Sequence, residues 1–241
     1  MTASVRVFGY GSHGSLPDVS PFVQKLEFHL RLAGVEYEKV NADVRKAPRS
    51  KLPYIEHEGR QVPDSQGAID YLQERGIADL DAHLSADQRA EAFALRAMVE
   101  RDLYFAITYF RWQAEPGWAV YSQSLGTIIR AGGVPGFLLP LVLRKVRKGV
   151  IEQLHQQGIG RLPAAEIEAH GRKILATLGT FCERTSGPFW FGVEPSSFDA
   201  VMVAFVGALV GVELPSPLED AAREEGALMR CYEHVRDSMA D

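Results

Sequence analysis

Two periods divide this chain. From residue 4 to about 75 the apolar positions mix alternation with helical spacing, whereas nearly everything after residue 85 recurs every three or four residues. Val5-Arg6-Val7-Phe8-Gly9-Tyr10 is a β-branched and aromatic run stopped by glycines, which predicts a strand. From Ser20 the spacing changes. Phe22, Leu26, Leu30 and Ala33 share one helical face, Glu27 and Arg31 form an i,i+4 pair on another, and Gly34 ends the helix. Val35 to Val40 alternates apolar and charged residues, which predicts a second strand, parallel to the first through this crossover helix. A basic loop containing Pro48 leads to a hairpin of Tyr54 to His57 and Gln61-Val62 around Glu58-Gly59. A helix from Ser65 to Arg75 then turns Ala68, Ile69 and Leu72 inward.

The order strand, helix, strand, loop, strand, strand, helix is that of a minimal α/β thioredoxin-like domain, residues 1–76. The linker Gly76 to Leu84 joins it to an all-α domain, residues 85–241. That domain opens with the capping box Ser85 to Gln88, and its first helix carries Phe93, Ala97, Tyr104 and Ile107 on related turns. Further helices are predicted over 117–131, 135–156, 163–185, 197–211 and 217–238. Ser196 to Asp199 is a second capping box, ahead of the apolar run Ala200 to Val210, and its role is structural. Val134 to Val142, apolar and followed by the basic run 144–148, is about half the length of a spanning helix; it reads as a core helix or inter-helix connection with a solvated basic end, with a weak contact at a membrane interface as the lesser alternative.

A chain of 241 residues with 46% hydrophobic content can bury two modest cores. Its net charge of -5, with Lys and Arg scattered, leaves no groove-binding stripe and argues against nucleic acid as a partner. The two cysteines, Cys182 and Cys231, form no C-x-x-C pair and read as buried small hydrophobes in a reducing compartment. Met1 to Arg6 holds no signal-peptide core, so a cytoplasmic protein without a transmembrane segment is expected.

The chemistry concentrates in three stretches. Ser20-Pro21-Phe22-Val23 stands where thiol-redox members of the thioredoxin fold carry C-x-x-C, and with Ser20 and Val23 at those positions disulfide exchange is excluded. Ser20 reads either as an ordinary helix cap or as a hydroxyl that donates to the thiolate of a bound thiol. Lowering that thiol's pKa by about two units needs only ~2.7 kcal/mol. Lys51-Leu52-Pro53 precedes the third strand. A cis proline there would face the Leu52 N–H and C=O toward the Ser20 helix start, ready to pair with a cysteinyl backbone, whereas a trans proline would simply open an edge strand. Asp64-Ser65 caps the next helix, and the Ser65 hydroxyl with the following amides can hold a carboxylate while Asp64 meets an ammonium group, as a free γ-glutamyl end requires. Lys51, Arg49 or Arg45 could meet the opposite terminal carboxylate. On this reading the ligand is glutathione.

Together, Ser20-Pro21-Phe22, Lys51-Leu52-Pro53, Asp64-Ser65 and the Ser196 to Asp199 box resemble the cytosolic glutathione transferases. The resemblance is closest to the branch containing the failed-axon-connections and metaxin-like proteins. Ser20 to Glu27, Lys51 to Ile55, Gly158 to Arg161 and Phe189 to Gly192 carry it, over about residues 5 to 236. It implies the glutathione transferase fold and a homodimer. It also implies a glutathione site including Phe22, Lys51, Leu52, Pro53, Asp64 and Ser65, glutathione as co-substrate with no metal, and Ser20 as the catalytic hydroxyl. The second substrate would be a small hydrophobic electrophile, as in detoxification, met by Tyr104, Tyr109 and Trp112 unless these serve the core. Tyr10 is the alternative activator, though the insertion Gly11 to Val19 sets it far from the helix. Many proteins of this branch have cysteine where this chain has Val23, and the branch includes members better known as organelle or membrane-associated factors than as catalysts, so a non-catalytic binding or scaffold protein is the competing reading.

Overall fold

The computed structural model describes residues 4–12, 16–212 and 214–239. Residues 1–3, within the expected leaderless N-terminus, and 13–15, within the Gly11 to Val19 insertion, lie outside the described residues. Strand β1 (Val5–Gly9) runs into helix α1 (Pro21–Leu32), which returns the chain to β2 (Tyr37–Asn41). A 3-10 turn at Val44–Lys46 precedes the hairpin of β3 (Tyr54–His57) and β4 (Arg60–Pro63), and α2 (Ser65–Glu74) closes the unit. The sheet order is β2-β1-β3-β4, with β1 and β2 parallel and the other pairs antiparallel. Gly34, at φ 65, ends α1, and the hairpin turns through Glu58 and Gly59 at φ 52 and 74. Val5, Val7 and Ile55 of the sheet bury against Leu26 and Leu30 of α1 and Ile69 and Leu72 of α2.

The remainder is helical: α3 (Ala86–Ala97), α4 (Tyr104–Thr108), α5 (Glu115–Ala131), α6 (Leu139–Gln157), α7 (Ala164–Arg184), α8 (Ser197–Val210), α9 (Pro217–Glu224) and α10 (Gly226–Asp237). Glu225 breaks the single last helix expected over 217–238 into α9 and α10. Two π-helical stretches, Met98–Leu103 and Tyr109–Gln113, interrupt the first long helix. The buried stripe is Ala92, Leu95, Val99, Leu103, Ala106 and Phe110, while Phe93, grouped by its spacing with Tyr104 and Ile107, is 64% exposed.

Helix α8 is the centre of this half, buried all round from Phe198 to Leu209. Its start is held by Asp199, whose carboxylate accepts from the Ser196 N–H, the Ser196 hydroxyl and the Trp190 N–H. The linker residue Asp81 accepts from the Ser197 N–H and hydroxyl, which ties the connection to the same helix start. Because α8 lies along α1, α1 is covered on both sides, and every residue from Val23 to Leu30 is buried. Glu27, expected in a pair with Arg31, is 1% exposed. Its nearer partners are Lys39 at 2.6 Å and the Tyr37 hydroxyl at 2.9 Å, with Arg31 at 4.0 Å. Val134 to Val142 is an inter-helix connection running into α6 and not a core helix, with Phe137 at its tip 82% exposed.

Candidate functional site

The first turn of α1 is the focus of the site. Ser20 stands at its N-cap with extended backbone (φ -94, ψ 122), yet its side chain makes no capping hydrogen bond. Pro21 opens the helix, a position where its missing N–H costs nothing. The Phe22 and Val23 N–H groups at this helix start are therefore unclaimed by the cap. What fixes Ser20 is Asp18, a residue the sequence reading passed over. Its carboxylate, fully buried, accepts from the Gly11 N–H at 2.8 Å and the Ser20 N–H at 3.0 Å, and Lys39 lies 3.4 Å away. Burial pushes the Asp18 carboxyl above the usual carboxylate range, against the pull of those two N–H groups and Lys39. The Lys39 ammonium also donates to the Pro17 carbonyl, and Gln24 donates to the Asp18 carbonyl at 2.7 Å. Gly9 makes the space: a Cβ there would sit 2.6 Å from Asp18 Oδ2 and 2.8 Å from Val23 Cγ1. The available signal was a single carboxylate two residues before a helix cap, in a loop otherwise without acids.

The other two stretches converge on this turn. The Leu52-Pro53 peptide bond is cis, and the Leu52 N–H and C=O take no hydrogen-bond partner among the described residues. The Leu52 side chain packs in one cluster with Val23, Phe8, Ala47 and Tyr54, which sets it beside the first turn of α1. Asp64 caps α2 at φ 76, a left-handed conformation that a non-glycine residue adopts at a cost of roughly 1–3 kcal/mol. Its Oδ1 accepts from the Gln66 and Gly67 N–H groups at 2.9 and 3.4 Å, so the amides expected to hold a ligand carboxylate are already engaged. The Ser65 N–H and hydroxyl have no protein partner among the described residues. Lys51 and Arg49 are exposed without an ion pair among the described residues, whereas Arg45 is held by Asp43 at 2.7 Å.

A buried cation joins the two halves here. Lys25, one turn beyond Ser20, is fully buried and donates to Gln66 Oε1 at 2.9 Å and Glu100 Oε1 at 2.6 Å, so α1, the first turn of α2 and the first π-helical stretch meet at one ammonium. The Phe22 ring turns the other way, packing edge-on against Tyr104 at 4.9 Å and Phe205 at 5.3 Å. Trp112 stacks on Trp118 at 5.5 Å, and Tyr109 meets Phe110, so all three aromatics proposed for an electrophile have packing partners. Tyr10 lies partly buried at the end of β1. Burial first, then the neighbouring Tyr104, Asp18 and Tyr121, push its phenol up to about 12, which keeps it protonated. Far from this site, Cys182 is buried on α7 and Cys231 half-buried on α10, and neither forms a disulfide.

Comparison with known proteins identifies the family. Residues 21–117 match the family model of the glutathione S-transferase N-terminal domain. Over 202 residues the chain is 31% identical to the isoprene-epoxide glutathione S-transferase of Rhodococcus sp. strain AD45, covering 81% of this chain and 82% of that protein. Over 220 residues it is 32% identical to Failed axon connections of Drosophila melanogaster, covering 87% of this chain but only 51% of that protein, so the chain spans about half of that relative's length. Among solved structures, glutathione transferase GSTFuA3 of Phanerochaete chrysosporium superposes with a TM-score of 0.64 at 12% identity, over 98% of this chain and 97% of that one. The β-etherase LigF of Sphingobium sp. strain SYK-6 gives 0.60 at 16% identity, over 98% of each. The fold, the sequence identity over four fifths of the length and the family model agree: this chain belongs to the glutathione S-transferase family.

Proposed function

We propose that the protein is a glutathione transferase that stabilises the thiolate of bound glutathione with the Ser20 hydroxyl and joins that sulfur to a small apolar electrophile. The observation that carries the proposal is a set of unpartnered polar groups at one place: the Ser20 hydroxyl, the Leu52 N–H and C=O, and the Ser65 N–H and hydroxyl. Polar groups left open at two helix starts are available to take a ligand's hydrogen bonds in place of water's. The Leu52 backbone, followed by Pro53, would pair with the cysteinyl residue, Ser65 would hold the γ-glutamyl carboxylate, and Asp64 would face its ammonium group. Lys51 would meet the far carboxylate. The Phe22 N–H, in the positive first turn of α1, would add to the field on the sulfur. The proton leaves the thiol for water, and the sulfur attacks a carbon of the electrophile held on the aromatic side of the cleft; with an epoxide the C–S bond forms as the C–O bond breaks, and the freed oxygen takes a proton from water. That an isoprene-epoxide glutathione S-transferase is 31% identical favours an enzyme over a scaffold.

Replacing Ser20 by alanine is expected to lower kcat/KM for a small epoxide about 100-fold, the effect of removing one donor aimed at developing negative charge. The pH–rate profile should move up by about two units, toward the pKa of a free thiol near 8.5. A Ser20→Ala enzyme with unchanged rate and profile would remove Ser20 from the mechanism, and the same experiment on Tyr10→Phe would then identify the donor. Calorimetric titration with glutathione separates the competing reading, since no heat at millimolar ligand would favour a scaffold that has lost the site.

A further inference from the structure

The α5–α6 hairpin meets the site described above at its base, where Trp118 and Tyr121 of α5 pack on Trp112. Between Glu115 and Glu152 the sequence contains no acidic residue, while Arg130, Arg144, Lys145, Arg147 and Lys148 all fall there, in a chain of net charge -5. The two helices pack on each other, Leu139 and Leu143 of α6 seated against Gly126 of α5, where a Cβ would lie 3.3 Å from Leu139. The hairpin packs on the rest of the molecule at its base, through Tyr109–Gln113 and Ile159–Arg161. Arg147 belongs to that base, donating to the Trp112 and Gln113 carbonyls and to Glu115. The tip therefore projects, and it is apolar: Phe137 is 82% exposed and Leu141 64%. Leu141, Arg144, Lys145 and Lys148 recur at i, i+3, i+4 and i+7, which sets them on one exposed face of α6.

We propose that this tip docks on the surface of an anionic phospholipid bilayer. Phe137 and Leu141 enter the boundary between headgroups and acyl chains, and Arg144, Lys145 and Lys148, on the same face and progressively farther from the tip, meet the lipid phosphates. The charge pattern selects this occupant. An apolar tip backed by cations, with no acidic residue between Glu115 and Glu152, complements a surface that is anionic outside and apolar beneath. A second copy of this chain, acidic overall, would offer no matching apolar and anionic layers in that order. No helix among the described residues is long and apolar enough to cross a membrane, so the association lies on the surface. This inference is independent of the thiol site.

Flotation of the full chain with vesicles tests it. The protein is expected to float with phosphatidylcholine vesicles containing phosphatidylserine and to remain behind with phosphatidylcholine alone, and added salt should weaken the association. Reversing three charges together (Arg144→Glu, Lys145→Glu, Lys148→Glu) should weaken binding about 100-fold, at roughly fivefold per basic residue. The pair Phe137→Ser and Leu141→Ser should abolish flotation, and both variants should keep the parent melting curve because the replaced side chains are exposed. Three results would overturn the proposal: no flotation of the parent, equal flotation by parent and charge-reversed protein, or a parent dimer that the Phe137→Ser and Leu141→Ser pair splits in sedimentation equilibrium. The last would show that a second copy covers the tip.

Discussion

Replacing Glu100 by alanine is expected to cost about 3–5 kcal/mol of stability at neutral pH, because it strands a buried charge. For a chain of 241 residues that is a melting temperature lower by roughly 10 °C. The Lys25 side chain has no exposed area and that of Glu100 only 15%, so water cannot replace the lost partner. Gln66, the remaining acceptor, carries no charge. Burial already pulls the Lys25 pKa below its ordinary value and Glu100 pulls it back up, so removing Glu100 lets it fall further. In the window between that lowered folded pKa and the unfolded value near 10.4, the unfolded chain binds more protons, and stability rises with pH. The variant's deficit should therefore shrink as pH is raised from 7 toward 10. Thermal melts across that range check it, and a deficit that stays constant or grows would show that Lys25 is not the stranded charge. A double variant, Lys25→Met with Glu100→Leu, should recover most of the loss by replacing the pair with apolar packing.

The same ammonium shows where the sequence was legible and where it was not. Local rules carried the first domain. A β-branched run stopped by glycine made β1, Gly34 ended α1, and Glu58-Gly59 turned the hairpin, because each depends only on near neighbours. The cleft side of α1 depends on what covers it. Lys25 and Glu27 each look like solvated positions on an amphipathic helix, and no spacing in the sequence says that α1 will be covered on both sides and that each charge must find its own partners, Lys25 in Gln66 and Glu100 and Glu27 in Lys39 and Tyr37. Phe93 differs: its spacing groups it with Tyr104 and Ile107, but the buried stripe from Ala92 to Phe110 runs about 100° round the helix from it, and spacing alone does not say which side of a helix with apolar residues on several faces will be covered. The candidate site divides in the same way. Leu52-Pro53 and Asp64-Ser65 announce themselves as an X-Pro step and a helix cap, and the structure brings both beside α1. Asp18 does not, because its importance lies in which N–H groups the loop folds onto it.

Changing Asp18 to asparagine tests whether that loop serves the chemistry or only the fold. The amide keeps one acceptor for the Gly11 and Ser20 N–H groups, now 2.8 and 3.0 Å from the carboxylate oxygens, and turns its own N–H2 toward the other donor and toward Lys39. With the site fully buried, one N–H left unpaired and a donor set against an ammonium, a loss of about 3–5 kcal/mol is expected. Stability alone would not distinguish a structural residue from a positioning one, so the rate is read at low temperature, where the variant remains folded. If Asp18 acts by holding the Ser20 backbone, kcat/KM should fall about 100-fold, since a misplacement near 1 Å costs that much. Glutathione affinity, which rests mainly on Leu52 and Ser65 in the proposed site, should change far less. The decisive comparison is the double variant. In a protein already carrying Ser20→Ala the hydroxyl is gone, so misplacing it further should cost almost nothing, and Asp18→Asn should lower the rate no more than a few-fold. Two losses that multiply in full would mean that Asp18 reaches the reaction by some route other than Ser20.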